Sequence, residues 1–145
     1  MAVVAHKTSG EFILSEPRCF SSLAQALTDA SGDSSAFPAD FSGSELLSGE
    51  GGSALLATLG VHFEGANGSG SSISVTGGAC SGGYWNTGLS WANRISSSWN
   101  GCYRLRHYDN PHLGGSSAST VGAGSTHNLP GAMDNKTESV AYLSS

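Results

Sequence analysis

The sequence contains little charge and few basic side chains. Only 12% of its 145 residues are charged, and six Lys or Arg stand against 11 Asp or Glu, which gives a formal net charge of −5. A nucleic-acid partner is excluded, because phosphate binding needs clustered Lys and Arg. The mild acidic excess is compatible instead with cation binding.

Long apolar runs and catalytic signatures are missing as well. No run reaches the roughly 18 apolar residues that a membrane-spanning helix needs, so no membrane partner is predicted. The sequence has no Gly-x-Ser-x-Gly elbow, no His-Glu-x-x-His pair, no phosphate loop and no Cys-x-x-Cys. The five His are scattered along the chain. We therefore expect a protein that is not an enzyme.

Cysteine is scarce, and an odd count leaves one thiol without an internal partner. Cys80 and Cys102 both lie in Gly-rich stretches and are the favoured pair. A disulfide between them would close a loop and stabilise the fold by roughly 3 kcal/mol, because it lowers the entropy of the unfolded chain. Three reduced, buried thiols are the alternative. If Cys80 and Cys102 pair, Cys19 is free or links two chains into a dimer.

Glycine, by contrast, is abundant, with 21 residues, and short strands joined by tight turns fit this composition. Strand candidates are the end of segment 54–63, the alternating segment 72–76, and segment 102–108. The apolar residues of segment 102–108 cannot all share one face. A bulge or a two-sided strand is therefore expected there.

The first third of the chain follows a different pattern. Segment 10–17 is a short apolar run ended by Pro, which predicts an edge strand or an extended arm. Apolar residues at helical spacing predict one short helix at about 22–30, with Ser21 or Ser22 as its N-cap. We therefore divide the chain into an N-terminal extension, 1–53, and a domain, 54–145.

Two parts of that domain repeat each other. Residues 63–72 align without gaps on residues 108–117, and residues 91–97 align on residues 133–139. The offset is 45 residues in the first pair and 42 in the second, so one insertion or deletion in a connecting loop accounts for the difference. The domain is predicted to contain two copies of one unit.

The second copy resembles the Greek-key motif of the βγ-crystallins. That motif begins with an aromatic residue and often an acidic neighbour, has a second bulky residue five positions after the first, and then a Gly two positions further on. Tyr108, Asp109, Leu113 and Gly115 match it. The resemblance implies an all-β sandwich of two tandem Greek-key motifs.

The first copy departs from the motif at one position. Phe63, Glu64 and Gly70 match, but Gly68 stands where a bulky residue is expected. The packing around that hairpin is therefore expected to be weaker.

The other repeated segments resemble the calcium loops of the same family. Such a loop has two Asn or Asp residues and, after two variable positions, Ser or Thr and then Ser. Segment 92–97 has Ala92 at the first position, and segment 134–139 has Glu138 at the fifth. The resemblance implies up to two Ca²⁺ ions, bound by oxygen atoms. The candidate ligands are Glu64, Asn93, Ser96, Asp109, Asp134, Asn135 and Glu138.

By resemblance, each loop binds its ion with the folded hairpin of the other motif. Loop 93–96 would then pair with the hairpin at Tyr108 and Asp109, and loop 134–138 with the hairpin at Phe63 and Glu64. The alternative is that both loops are vestigial, and that their Asn and Ser side chains only cap turns.

The arrangement as a whole is similar to that of small bacterial secreted proteins of this superfamily. The small residues after Met1 resemble the end of a removed leader, so we expect a mature secreted protein. The alternative function is an extracellular binding or inhibitory protein, like a peptidase inhibitor, a killer toxin or a glycan-binding protein. Its partner would be an extracellular protein or a glycan, contacted through the Gly-rich segment 77–88 or through an exposed patch at Tyr84 and Trp85.

Overall fold

The computed structural model describes residues 2–8, 11–14, 22, 24, 25, 27, 28, 58–77 and 80–145. Ten strands are described. With the short helix α1 they are, in chain order, β1 Ala2–Thr8, β2 Glu11–Leu14, β3 Thr58–Phe63, β4 Ser72–Thr76, β5 Ser81–Asn86, α1 Gly88–Trp91, β6 Ser97–Asn100, β7 Arg104–Asn110, β8 Gly114–Val121, β9 Thr126–Asn128 and β10 Ser139–Leu143. In this part of the chain no helix is long and apolar enough to cross a membrane.

Strands β3 to β6 form one Greek-key motif and strands β7 to β10 form a second. The strand orders β4-β3-β6-β9 and β8-β7-β10-β5 define two antiparallel sheets. The third strand of each motif, β5 or β9, pairs in the sheet of the other motif. The prediction of an all-β sandwich of two tandem Greek-key motifs is confirmed.

The hairpin of β1 and β2 connects the edges of the two sheets. Strand β1 pairs in parallel with β4, and β2 pairs in parallel with β5. The strand order is therefore continuous from β8 to β9. Segment 10–17 was predicted as an edge strand or an extended arm. That prediction is wrong for Glu11–Leu14, because β2 has a partner on each side.

Other predictions for the N-terminal third fall largely outside the described residues. This holds for Cys19 and for residues 23, 26, 29 and 30 of the helix predicted at 22–30, whereas residues 24, 25, 27 and 28 are helical. One contact is described, in which the Ser22 hydroxyl accepts a hydrogen bond from the backbone N–H of Gln25 at 3.2 Å. The division at residue 53 stays a prediction.

The strand predictions for the domain are confirmed in β3, β4 and β7. A register shift occurs between Tyr108 and Asn110, at the end of the segment in which a bulge or a two-sided strand was expected. Segment 77–88 was expected to contact the partner in the alternative function. Half of it, Ser81–Asn86, forms β5, which is bonded to β10 on one side and to β2 on the other. Trp85 is only 2% exposed, so it does not form a surface patch with Tyr84.

The core lies between the two sheets. It takes side chains from both, including Leu59, Ile73, Val75, Trp85, Leu105, Val140 and Tyr142. At Gly60 the sheets come so close that an added Cβ would lie 2.9 Å from Leu105 Cδ2 and 3.0 Å from Tyr142 Cε1. A larger residue there would force the sheets apart, which interiors packed at crystal-like density do not tolerate.

A disulfide joins Cys80 to Cys102, with 5.7 Å between the Cα atoms. It ties the start of β5 to the turn between β6 and β7, and Cys102 is 1% exposed. The predicted pairing is confirmed.

A hydrogen-bonded series of four buried polar side chains also crosses the core. The Tyr142 hydroxyl lies 2.8 Å from His62 Nε2, His62 Nδ1 lies 2.7 Å from Ser98 Oγ, and Ser98 Oγ lies 3.1 Å from His107 Nε2. His62 and Ser98 belong to one sheet, and His107 and Tyr142 to the other. If every hydrogen bond in this series runs in the same direction, from Tyr142 to His107 or the reverse, each contact has one donor and one acceptor while both imidazole rings stay neutral.

Burial sets the protonation states of His62, His107 and Tyr142. Desolvation lowers the pKa of His62 well below its ordinary value, and the nearby His107 lowers it further. Desolvation also lowers the pKa of His107 to about 4, although the nearby backbone of Ala118 opposes that shift. Burial raises the pKa of Tyr142. All three groups are therefore neutral near pH 7.

Candidate functional site

Two folded hairpins, one in each motif, carry the first set of predicted site residues. The tip of the first hairpin has left-handed backbone at Asn67 and Gly68, with φ of 57° and 68°. The tip of the second has the same conformation at His112 and Leu113, with φ of 57° and 59°. The tips are equivalent in the repeat alignment, so the backbone of the motif is kept even though Gly68 replaces a bulky residue.

Each hairpin is held by a Ser hydroxyl from its own motif. Ser97 Oγ accepts the Gly68 N–H at 3.0 Å and donates to the Gly65 carbonyl at 2.6 Å. Ser139 Oγ accepts the Leu113 N–H at 3.0 Å and donates to the Asn110 carbonyl at 2.7 Å. The sixth position of each predicted calcium loop therefore braces a hairpin.

Each hairpin is also held by an Asn from the other motif. Asn128, at the end of β9, accepts the Asn67 N–H at 2.7 Å. Asn86, at the end of β5, accepts the His112 N–H at 2.8 Å. The exchange of the third strands brings both Asn residues to these positions. Neither Asn was predicted as a site residue, although each precedes the hairpin-bracing Ser of its own motif by the same 11 residues.

The two predicted calcium loops cross each other. The Asn93 N–H donates to the Thr137 carbonyl and the Asn135 N–H to the Ile95 carbonyl, each at 3.0 Å. Both Asn residues have left-handed backbone, with φ of 62° and 56°, a conformation that Asn tolerates better than most residues. Each loop consequently places its first half against the second half of the other.

Crossing gathers the predicted ligands into two groups. We call the first the Phe63 cluster, and it consists of the Phe63 carbonyl, Glu64, Ser96 and Asn135. The Ser96 N–H donates to the Phe63 carbonyl at 2.9 Å, and the Ser96 hydroxyl donates to Asn135 Oδ1 at 3.1 Å. Glu64 follows Phe63 in the chain and pairs with Arg94.

The second group is the Tyr108 cluster, which consists of the Tyr108 carbonyl, Asp109, Asn93 and Glu138. The Glu138 N–H donates to the Tyr108 carbonyl at 2.8 Å, and Asn93 Nδ2 donates to Glu138 Oε1 at 3.3 Å. Asp109 Oδ1 accepts the backbone N–H of Ser116 at 2.8 Å. The two clusters occupy equivalent places in the two motifs.

These clusters differ from the pairing of whole loops with hairpins that the sequence suggested. Asn93 does lie with the hairpin at Tyr108, but Ser96, from the same loop, bonds to the hairpin at Phe63. Likewise Asn135 lies on the Phe63 side, whereas Glu138 bonds to Tyr108. Each hairpin therefore meets one half of each loop.

Asp134, the remaining predicted ligand, is partly buried. Its Oδ1 is buried and has no hydrogen-bond partner, and the same holds for Thr137 Oγ1 in the same loop. A buried carboxylate oxygen without a donor costs free energy, and a cation could satisfy it. Among the described residues, no three His, Cys, Asp or Glu side chains converge on one point. Any ion here would therefore rely mainly on amide, hydroxyl and carbonyl oxygens.

The chain is similar to the crystal structure of a double mutant of a betagamma-crystallin domain from Clostridium beijerinckii. The two share 18% sequence identity with a TM-score of 0.48, and the similarity covers 59% of this chain and 97% of that chain. No family model and no curated protein matches the sequence. On the evidence of its own topology, with two Greek keys, exchanged third strands and two braced hairpins, the domain has the βγ-crystallin fold.

Proposed function

We propose that this chain is a secreted, non-catalytic βγ-crystallin-like protein that binds Ca²⁺ at the Phe63 and Tyr108 clusters. The crossing of the two loops carries the proposal. It brings oxygen atoms from segments that are far apart in the sequence to two equivalent places, as a pair of ion sites requires.

The donor set suits a hard cation. Ca²⁺ takes six to eight oxygen ligands from carboxylates, amides, carbonyls and water in flexible geometry. Ser96, Asn135 and the Phe63 carbonyl supply such oxygens on one side, and Glu138 and Asn93 supply them on the other. The unpartnered Oδ1 of Asp134 supports the same chemistry.

A bound ion would act on stability. It would link a hairpin to both loops at once, and these come together only in the folded chain. Ca²⁺ would therefore stabilise the native state by mass action. The residues that would hold it also have a purely structural role, since left-handed Asn93 and Asn135 fit their turns without an ion. Only a binding measurement separates the two interpretations.

Secretion is supported by the Cys80–Cys102 disulfide. Disulfides form and persist in oxidising compartments and are rare in the cytosol. The alternative function, an extracellular inhibitor or glycan-binding protein, is less well supported, because half of segment 77–88 is the paired strand β5 and Trp85 is buried.

The test is a calorimetric Ca²⁺ titration of chelator-stripped protein, with the thermal midpoint recorded with and without excess ion. At about 100 times the Kd, one site should add roughly 2.7 kcal/mol, which is on the order of 10 °C for a domain of this size. Ser96→Ala, in the Phe63 cluster, and Glu138→Ala, in the Tyr108 cluster, should each reduce both readouts. Ser119→Ala, at an exposed position of β8, is the matched control. Flat heats and an unchanged midpoint up to millimolar Ca²⁺ would contradict the proposal.

A further inference from the structure

Arg94 makes the two clusters unequal. Its guanidinium pairs with the carboxylate of Glu64, in the Phe63 cluster, and lies over the ring of Trp91 at 5.1 Å from the centroid. A cationic side chain anchored on an aromatic face is thus already directed at the acidic residue of this cluster.

The equivalent positions in the other motif lack this arrangement. Lys136 corresponds to Arg94 in the repeat alignment, and Asp109 corresponds to Glu64. Within the described chain Lys136 makes no ion pair, and Asp109 is instead bonded to the backbone N–H of Ser116. Arg106 lies over the Tyr108 ring, 5.4 Å from its centroid, but its Nε donates to Ser117 Oγ. No ion pair with a carboxylate of the Tyr108 cluster is therefore described.

Building on the calcium binding proposed above, we propose that Arg94 is a resident cation of the Phe63 cluster that competes there with Ca²⁺. The Tyr108 cluster is then the tighter site, and the Phe63 cluster fills only at higher concentration. Arg94 and Glu64 are 46% and 30% exposed, so their ion pair is loose enough for a divalent ion to displace it.

The size of the effect follows from Coulomb's law. A unit charge about 6 Å from a divalent ion, in water-like surroundings, weakens binding about tenfold. Removing the charge of Arg94 should recover that factor at the Phe63 cluster. Removing the charge of Lys136, which forms no such pair, should change either affinity by no more than about twofold.

The experiment compares Arg94→Gln with Lys136→Gln and the natural chain by calorimetric Ca²⁺ titration. Backbone amide spectra identify the site that fills at each step. Ser96 and Asn135 report on the Phe63 cluster, and Asn93 and Glu138 report on the Tyr108 cluster. Midpoints measured in chelator verify that both variants fold.

We expect two classes of site in the natural chain, with the amides of the Tyr108 cluster shifting first. In Arg94→Gln the weaker site should strengthen about tenfold, which brings the two classes closer together. Two equal sites in the natural chain, or an Arg94→Gln profile like that of Lys136→Gln, would overturn the inference. Binding in Arg94→Gln alone would support the role of Arg94 but refute calcium binding by the natural chain. An absence of heat in all three proteins would refute both.

Discussion

Acid should unfold this protein through His62 and His107, whose rings are wholly buried between the sheets. Both have pKa values lowered by burial, so the native state keeps them neutral. An unfolded chain binds a proton at each His below about pH 6.5. The stability that depends on neutral rings is therefore present above pH 6.5 and is lost as the pH falls.

The size of the loss follows from the pKa of His107, which is about 4 in the folded protein. The free energy of unfolding changes by roughly 1.4 kcal/mol for each pH unit and each His. Between pH 6.5 and pH 4 it should therefore fall by about 3 kcal/mol through His107 alone. Two such residues give a slope of nearly 3 kcal/mol per pH unit. A loss of about 4 kcal/mol by pH 5 is a large part of the 5–15 kcal/mol that typically stabilises a domain.

Urea unfolding between pH 7 and pH 5 measures this slope above the ordinary range of Asp and Glu. His107→Gln keeps a side chain that can bond to Ser98 but cannot titrate, so the slope should fall by about half even though the variant is less stable at pH 7. His127→Gln, at a half-buried His outside the core, is the control variant. A natural chain with equal stability at pH 7 and pH 5, or a His107→Gln variant with the full slope, would refute the reasoning.

Two further predictions concern the disulfide and the hairpin braces. Replacing Cys80 and Cys102 together by Ala should lower the free energy of unfolding by about 3 kcal/mol, because the bridge closes a loop with a sequence separation of 22; a urea-unfolding difference below about 1 kcal/mol would contradict the loop-entropy explanation. Ser139→Ala should cost about 1–3 kcal/mol, because it leaves the part-buried N–H of Leu113 without its acceptor. Amide exchange at Leu113 should quicken in that variant but not in Ser97→Ala, which affects the other hairpin, and equal exchange in the two variants would rule out a local brace.

The repeat was the part of the fold most visible in the sequence. Aligning segment 63–72 on segment 108–117 placed Gly68 opposite Leu113, and the structure gives both residues left-handed backbone and a bond to an equivalent Ser. The alignment succeeds because the motif constrains backbone conformation. The repeat was therefore recognisable even though Gly68 replaces a bulky residue at one position.

Strand β5 could not be predicted from its own residues. Ser81–Asn86 contains two glycines and no apolar alternation, so its own residues did not predict a strand. Its conformation comes from β10 and β2, which pair with it from two distant parts of the chain. Strand β2 was mispredicted as an edge strand or an extended arm for the same reason. A short apolar run does not show whether a strand has a partner on one side or on both.

The composition of the two clusters was predictable only in part. Motif spacing identified all the candidate ligands, but it assigned each loop to one hairpin. The crossing depends on backbone bonds from Asn93 to Thr137 and from Asn135 to Ile95, and any residue type could supply those carbonyls. Asn86 and Asn128 were missed because each acts on the hairpin of the other motif.

The exchange of the third strands means that the boundary between the two motifs is not a boundary between two folding units. A chain that ended after β6 would contain β5 without β10, its antiparallel partner from the second motif. The second motif alone would likewise contain β9 without β6. Either half would need another copy of its missing partner to complete a sheet. The two motifs should therefore gain and lose their structure together, and the long-range pairing that joins them predicts slow folding.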